Sequence, residues 1–214
     1  MAQATTEAAR PALAELGAGE GAGRLAREVA LVALGAGALA VAAKVQVPVW
    51  PSPVPVTLGT FAVLTLGAAY GPRLGLLTIL LYMALGALGA DVFAGSSAEK
   101  NGVAYMMGTT GGYLVGYVLA TLALGAAARA GWDRSVGRTA LAMLLGNALI
   151  YLPGVAWLHV LIERGLFDPA THATPWDQAL AWGLTPYLVG DALKLALAAL
   201  LLPAAWSLAR RLRR

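Results

Sequence analysis

The strongest constraint on this chain is the recurrence of apolar runs about as long as a membrane is thick. They fall near residues 27–46, 56–71, 73–93, 105–129, 137–162 and 177–209. About 20 consecutive apolar residues in a helix cross a hydrocarbon core of about 30 Å. Inside that core every backbone polar group must be bonded within the protein, which selects helices. Composition agrees: 59% of residues are hydrophobic and 12% charged, against about a quarter charged in soluble domains. The expected fold is an all-α membrane protein, a bundle of six transmembrane helices. Residues 25–214 form the single domain, and residues 1–24 are read as a mobile cytoplasmic tail.

Basic residues set the orientation. With both termini inside, the outer segments hold only Lys44, Lys100 and Arg164, and Lys194 lies within a span. The other basic residues fall on the inner side, as topology in a cytoplasmic membrane requires. The net charge of +4 is thereby accounted for without nucleic acid. Arg24 and Arg27 ahead of an apolar run, with the small residues of "AVAAK", also fit a secretory leader. That leader would be longer than the usual ~15–30 residues, and further spans follow, so the run is read as retained. No cysteine is present, which excludes disulfides, thiolate metal sites and cysteine nucleophiles.

Local signals place turns and packing faces. Gly71-Pro72 predicts a tight turn between the second and third spans. The outer segment "VPVWPSPVPVTLGT" carries Pro48, Pro51, Pro53 and Pro55, which forbid a helix and impose an extended course. With "FAGSSAEKNG" and "ERGLFDPATHATPWDQ" it gives three long connections on one side, either lids over an outward-facing site or plain connectors. Gly108, Gly112 and Gly116 repeat every four residues, as do Ala36 and Ala40. Such spacing brings helix backbones together, within one chain or against a partner protein.

Charges inside the last span mark the candidate site. Asp191 and Lys194 stand at i and i+3 and project from one helix face, joined by Tyr187. Asn147 and Tyr151 form a second polar stripe, and Tyr113 lies near the outer end of the fourth span. The implied arrangement is a pocket open to the outside and floored by Asp191, Lys194 and Asn147. Pro186 decides depth: an unbroken helix puts Asp191 near mid-membrane, and a break there moves it outward. A charged pair in a membrane is a functional-site hypothesis by default, although two such charges also serve as a structural ion pair. His159 and His172 lack a second ligand at metal spacing, so no metal site is expected. No HExxH, GxSxG or phosphate-loop motif is present, and an enzyme built on Asp191 is the minor alternative.

Five segments in order carry a family likeness: "VPVTLGTFAVLTLGAAYGPRLG", "LYMALGALGADVFAG", "GTTGGYLVGY", "LGNALIYLPG" and "GDALK". From Val29 to Leu202 the chain resembles BioY, the biotin-specific substrate-binding subunits of energy-coupling-factor vitamin transporters. The resemblance implies six transmembrane helices, capture of biotin from outside, no enzymatic activity and no cofactor. It implies a partner module of a transmembrane protein with two ATPases, or else activity as a homo-oligomer without it. It further implies that Asp191 and Lys194 bind the ureido ring, and that Ala36 and Ala40 face the transmembrane partner. The chain departs from the family at Gly59, where Gln is usual, and at Leu114, where some members carry Arg. The cation for biotin's carboxylate is left between Lys100 and Arg164. A sibling subunit for another vitamin would share most of these features.

Overall fold

The computed structural model describes residues 10–16, 21–50, 52–166 and 174–212; Pro51 and His172 lie outside the described residues. Helix α1 (Gly21–Lys44) leads through strands β1 (Gln46–Val47) and β2 (Val56–Thr57) to α2 (Gly59–Ala87) and the short α3 (Gly102–Met106). Then come α4 (Gly111–Arg129), α5 (Val136–Glu163), α6 (Pro175–Gly183) and α7 (Leu188–Arg211). Among the described residues five stretches are long and apolar enough to cross a membrane: α1, α2, α4, α5, and α6 with α7. The described residues of the proline-rich segment form no helix, and its ends pair as an antiparallel two-residue ribbon.

The second stretch is two membrane segments. Gly71 adopts φ 74°, ψ 177° inside α2, a conformation open to glycine, and Pro72 restarts the helix from its first position. A Cβ built on Gly75 would lie 3.5 Å from the Gly67 Cα. Residues eight apart in a continuous helix would be about 12 Å apart, so α2 folds back on itself. Residues 59–70 and 72–87 are its two legs, which restores six segments.

The core is assembled by backbone contact where side chains are missing. A Cβ on Gly112 would fall 2.3 Å from the Pro153 oxygen, and one on Gly116 would fall 2.6 Å from the Ile150 Cα. The glycine repeat is therefore used within the chain, seating α4 on α5. On α1, Gly35 presses on Thr78 and Tyr70 of α2, Ala36 is 2% exposed, and Ala40 is half-buried against the core. The exposed face of α1 carries Ala33, Gly37 and Ala38 instead.

Two boundaries differ from the sequence reading. The fourth span begins at Gly111 rather than 105, because α3 is separated from it by a turn at residues 107–110. The last span breaks at a 3-10 turn, Thr185–Tyr187, around Pro186. This leaves Asp191 in the first turn of α7.

Within the segment read as a mobile tail, residues 10–16 are an exception. Residues 10–16 are docked across the inner end of the bundle. Ala12 is fully buried and lies over the bare backbone of Gly71. Glu15 pairs with Arg129, the Arg10 amide donates to the Arg129 carbonyl, and Arg27 donates to the Leu16 carbonyl at 3.1 Å. Inner-side arginines that topology demanded have gained a second use in tying this strap down.

Beside the strap, Asp133 is 2% exposed and accepts a hydrogen bond from the Trp206 indole, with Arg134 stacked 4.3 Å above that ring. Burial raises the Asp133 pKa above its usual value. The folded state therefore keeps this proton to a higher pH than the unfolded chain does. Stability from this group is greatest below the unfolded value of about 3.9 and declines as pH rises through the folded value. Thermal unfolding of Asp133→Asn in detergent should lose that decline; an unchanged pH profile would show that another group sets it.

Candidate functional site

The break at Pro186 prepares a place for charge. Starting α7 at Leu188 puts Asp191 among the unsatisfied N–H groups of the first helical turn, where a negative charge is favoured. One turn on, Lys194 Nζ lies 3.0 Å from Asp191 Oδ1. Lys194 also donates to Thr60 Oγ1 at 3.0 Å, and the Tyr151 hydroxyl donates to Asp191 Oδ2. Asp191 is 5% exposed. A carboxylate buried this deeply is tolerated because two donors and a helix terminus meet it.

These groups floor a cavity whose empty volume, mouth included, is about 620 Å³. Its wall combines Ala43, Val54, Pro55, Leu114 and Phe93 with the rings of Tyr82, Tyr105, Tyr113, Tyr117, Tyr151 and Tyr187. Apolar walls with a few convergent polar groups at one end are the usual form of a small-molecule site. The tyrosines differ in what their hydroxyls do. Tyr113 donates to the Gly183 carbonyl at 2.8 Å, and Tyr187 donates to the carbonyls of Val54 and Trp182. Both contribute ring faces, with their polar ends used to hold α6 and the proline-rich arm.

The outer rim is tied on both sides. Ser52 Oγ donates to the Trp182 carbonyl at 2.7 Å and lies 2.8 Å from the Tyr187 hydroxyl, fastening the proline-rich arm to the α6–α7 junction. Opposite, Lys44 Nζ reaches Asp91 at 2.5 Å and the Ser96 carbonyl at 3.0 Å, and Tyr105 donates to the Ala94 carbonyl. Lys44 and Ser96 hold the Asp91 carboxyl below the usual carboxylate range. The segment so fixed presents Phe93 between Tyr82 and Tyr105, at ring-centroid distances of 5.2 and 5.3 Å.

Of the residues singled out in the sequence, Asp191, Lys194, Tyr151, Tyr113 and Tyr187 converge on this cavity. Asn147 does not. It lines an apolar cleft between α5 and the α6–α7 pair, which shares Tyr151 and Asp191 with the cavity, and its Oδ1 has no hydrogen-bond partner among the described residues. Thr57, Thr60 and Tyr117 line the cavity but were missed. Tyr117 had a usable signal, standing four residues after Tyr113 on the same helix face. His159 is buried, stacked 3.9 Å from Trp176 and paired with Glu163 at 3.6 Å. Among the described residues no cluster could hold a metal ion.

A family model described as the BioY family matches residues 8–211. A protein of Pyrococcus horikoshii named "Probable biotin transporter BioY" is 38% identical over 82% of this chain and 94% of its own length. The "Biotin transporter BioY" of Thermotoga maritima is 31% identical over 76% of this chain and 86% of its own. A crystal structure described as the S-component for biotin from an ECF-type ABC transporter superposes with a TM-score of 0.65. It covers 91% of this chain and 95% of the other at 19% identity, a likeness of fold.

Proposed function

Because the chain belongs to the BioY family, we propose that it is the membrane subunit that captures biotin from outside and hands it inward. One observation supports the reading most: a buried carboxylate, braced by an ammonium and a phenol, at the closed end of an apolar cavity. A ureido group offers two N–H donors and one carbonyl acceptor. Asp191 accepts from the N–H edge, while Lys194 or the Tyr151 hydroxyl donates to the carbonyl. The fused rings and aliphatic arm then lie along the tyrosines and Phe93.

The subunit is proposed to act in the cytoplasmic membrane with an energising module, a transmembrane partner carrying two ATPases. No phosphate-binding loop occurs in the sequence, so ATP-driven accumulation needs such a partner. The face offered to it is the small-residue side of α1, at Ala33, Gly37 and Ala38, since Ala36 and Ala40 are committed to the chain's own packing. Close helix approach there follows from the lack of side chains.

Biotin added to the detergent-solubilised protein should raise its unfolding temperature. A ligand at a hundredfold excess over Kd, bound only to the folded state, stabilises by about 2.7 kcal/mol. No shift with biotin beside a clear shift with another vitamin would transfer the site to that vitamin. Biotin returned chemically altered would restore the enzyme reading.

A further inference from the structure

Beside the cavity lies a second space, a vestibule of about 1080 Å³, open mouth included, and Pro55, Ala94, Tyr105 and Thr110 line both. On the biotin reading, the aliphatic arm of a ligand held by its ureido ring at Asp191 would run toward these shared residues and the vestibule beyond them. The arm ends in a carboxylic acid, ionised at neutral pH, and a carboxylate leaving an apolar wall requires a donor or a cation.

Nearby cations can be taken in turn. Lys194 is held at the inner end by Asp191 and Thr60. Lys44 is bound to Asp91 and Ser96 and lines neither space. Arg164 follows the end of α5 and also lines neither. Lys100 lines the vestibule, and among the described residues its ammonium has no hydrogen bond or ion pair. Its backbone is fixed by reciprocal bonds with Ser97, 3.0 and 3.2 Å long. The Asn101 side chain closes the same turn on the Ser97 and Ala98 carbonyls. A free cation is thus presented from a held backbone, with Glu99 the acidic group beside it on the same wall.

Resting on the biotin reading, we propose that Lys100 receives the ligand's carboxylate and makes this chain prefer the free acid to neutral derivatives of it. Lys100 is exposed, so its effect is that of a solvated ion pair, up to about fivefold in affinity. Glu99 opposes it, so its neutralisation acts in the reverse direction.

The test measures Kd for biotin and for biotinamide, its uncharged carboxamide, on the full chain in detergent at low salt. Wild type should bind biotin more tightly. Lys100→Ala should weaken biotin about three- to fivefold and leave biotinamide unchanged, which also reports an intact fold. Glu99→Gln should tighten biotin alone, and added salt should narrow the preference. Equal binding of both compounds by wild type, or equal losses for both in Lys100→Ala, overturns the role of Lys100 while leaving biotin capture standing. Failure of wild type to bind either compound overturns the biotin reading and this inference with it.

Discussion

Replacing Asp191 by Asn or Lys194 by Met is expected to lower biotin affinity by about ten- to over a hundredfold. Each change removes a charge-assisted hydrogen bond of about 1.5–3 kcal/mol, and 1.4 kcal/mol is tenfold. The two should differ in their effect on the fold. Lys194→Met leaves Asp191 with the Tyr151 hydroxyl and the positive end of α7. Asp191→Asn leaves a buried ammonium with a neutral amide and the Thr60 hydroxyl, so it should be the more destabilising. In the double mutant neither charge is stranded, and stability should return while binding does not. Thermal unfolding and equilibrium binding, measured separately, decide the matter. A folded double mutant that binds biotin like wild type would remove both residues from the site.

A single methyl group should do comparable damage far from the ligand. On Gly125 of α4, a Cβ would stand 2.3 Å from the Pro72 nitrogen and 2.5 Å from its Cα. Those atoms belong to the bend of α2, and no flexible side chain can yield there. Gly125→Ala should therefore reach or pass the upper end of the about 1–3 kcal/mol seen for overpacking. By contrast, a Cβ on Gly37 of α1 meets nothing within 4 Å, and Gly37→Ala should stabilise by about 0.5–1 kcal/mol through helix propensity alone. Melting curves in one detergent compare the pair directly. If Gly125→Ala melts with wild type, the bend does not pack as described.

What the sequence disclosed and what it hid follow from the range of each interaction. The turn at Gly71-Pro72 was legible because both residues act on their own backbone. The meeting of Asp191 with Lys194 was legible because helical spacing alone imposes it. Pro186 left open whether the helix runs unbroken to Asp191, and the structure breaks it there. Asn147 was misplaced by a small angle: residues four apart on a helix are offset by about 40°. Tyr151 sits at the edge shared by cavity and cleft, while Asn147 faces the cleft alone. Thr60 and Thr57 were missed because a hydroxyl near a helix start reads as ordinary capping chemistry until another helix brings a charge to it. The docked strap at residues 10–16 was hidden because it lies within residues 1–24, whose alanine- and glycine-rich composition reads as disorder, whereas the small side chain of Ala12 is what lets it cover Gly71.

The fastened rim bears on what binding must cost. Ser52 and Tyr187 tie one lip to α6 and α7, and Lys44 with Asp91 and Ser96 ties the other. Both lips are held by bonds made within the chain, before any ligand arrives. Little freedom is left there to be lost on binding, so the ordering that a slack entrance would require at each capture has already been met in folding.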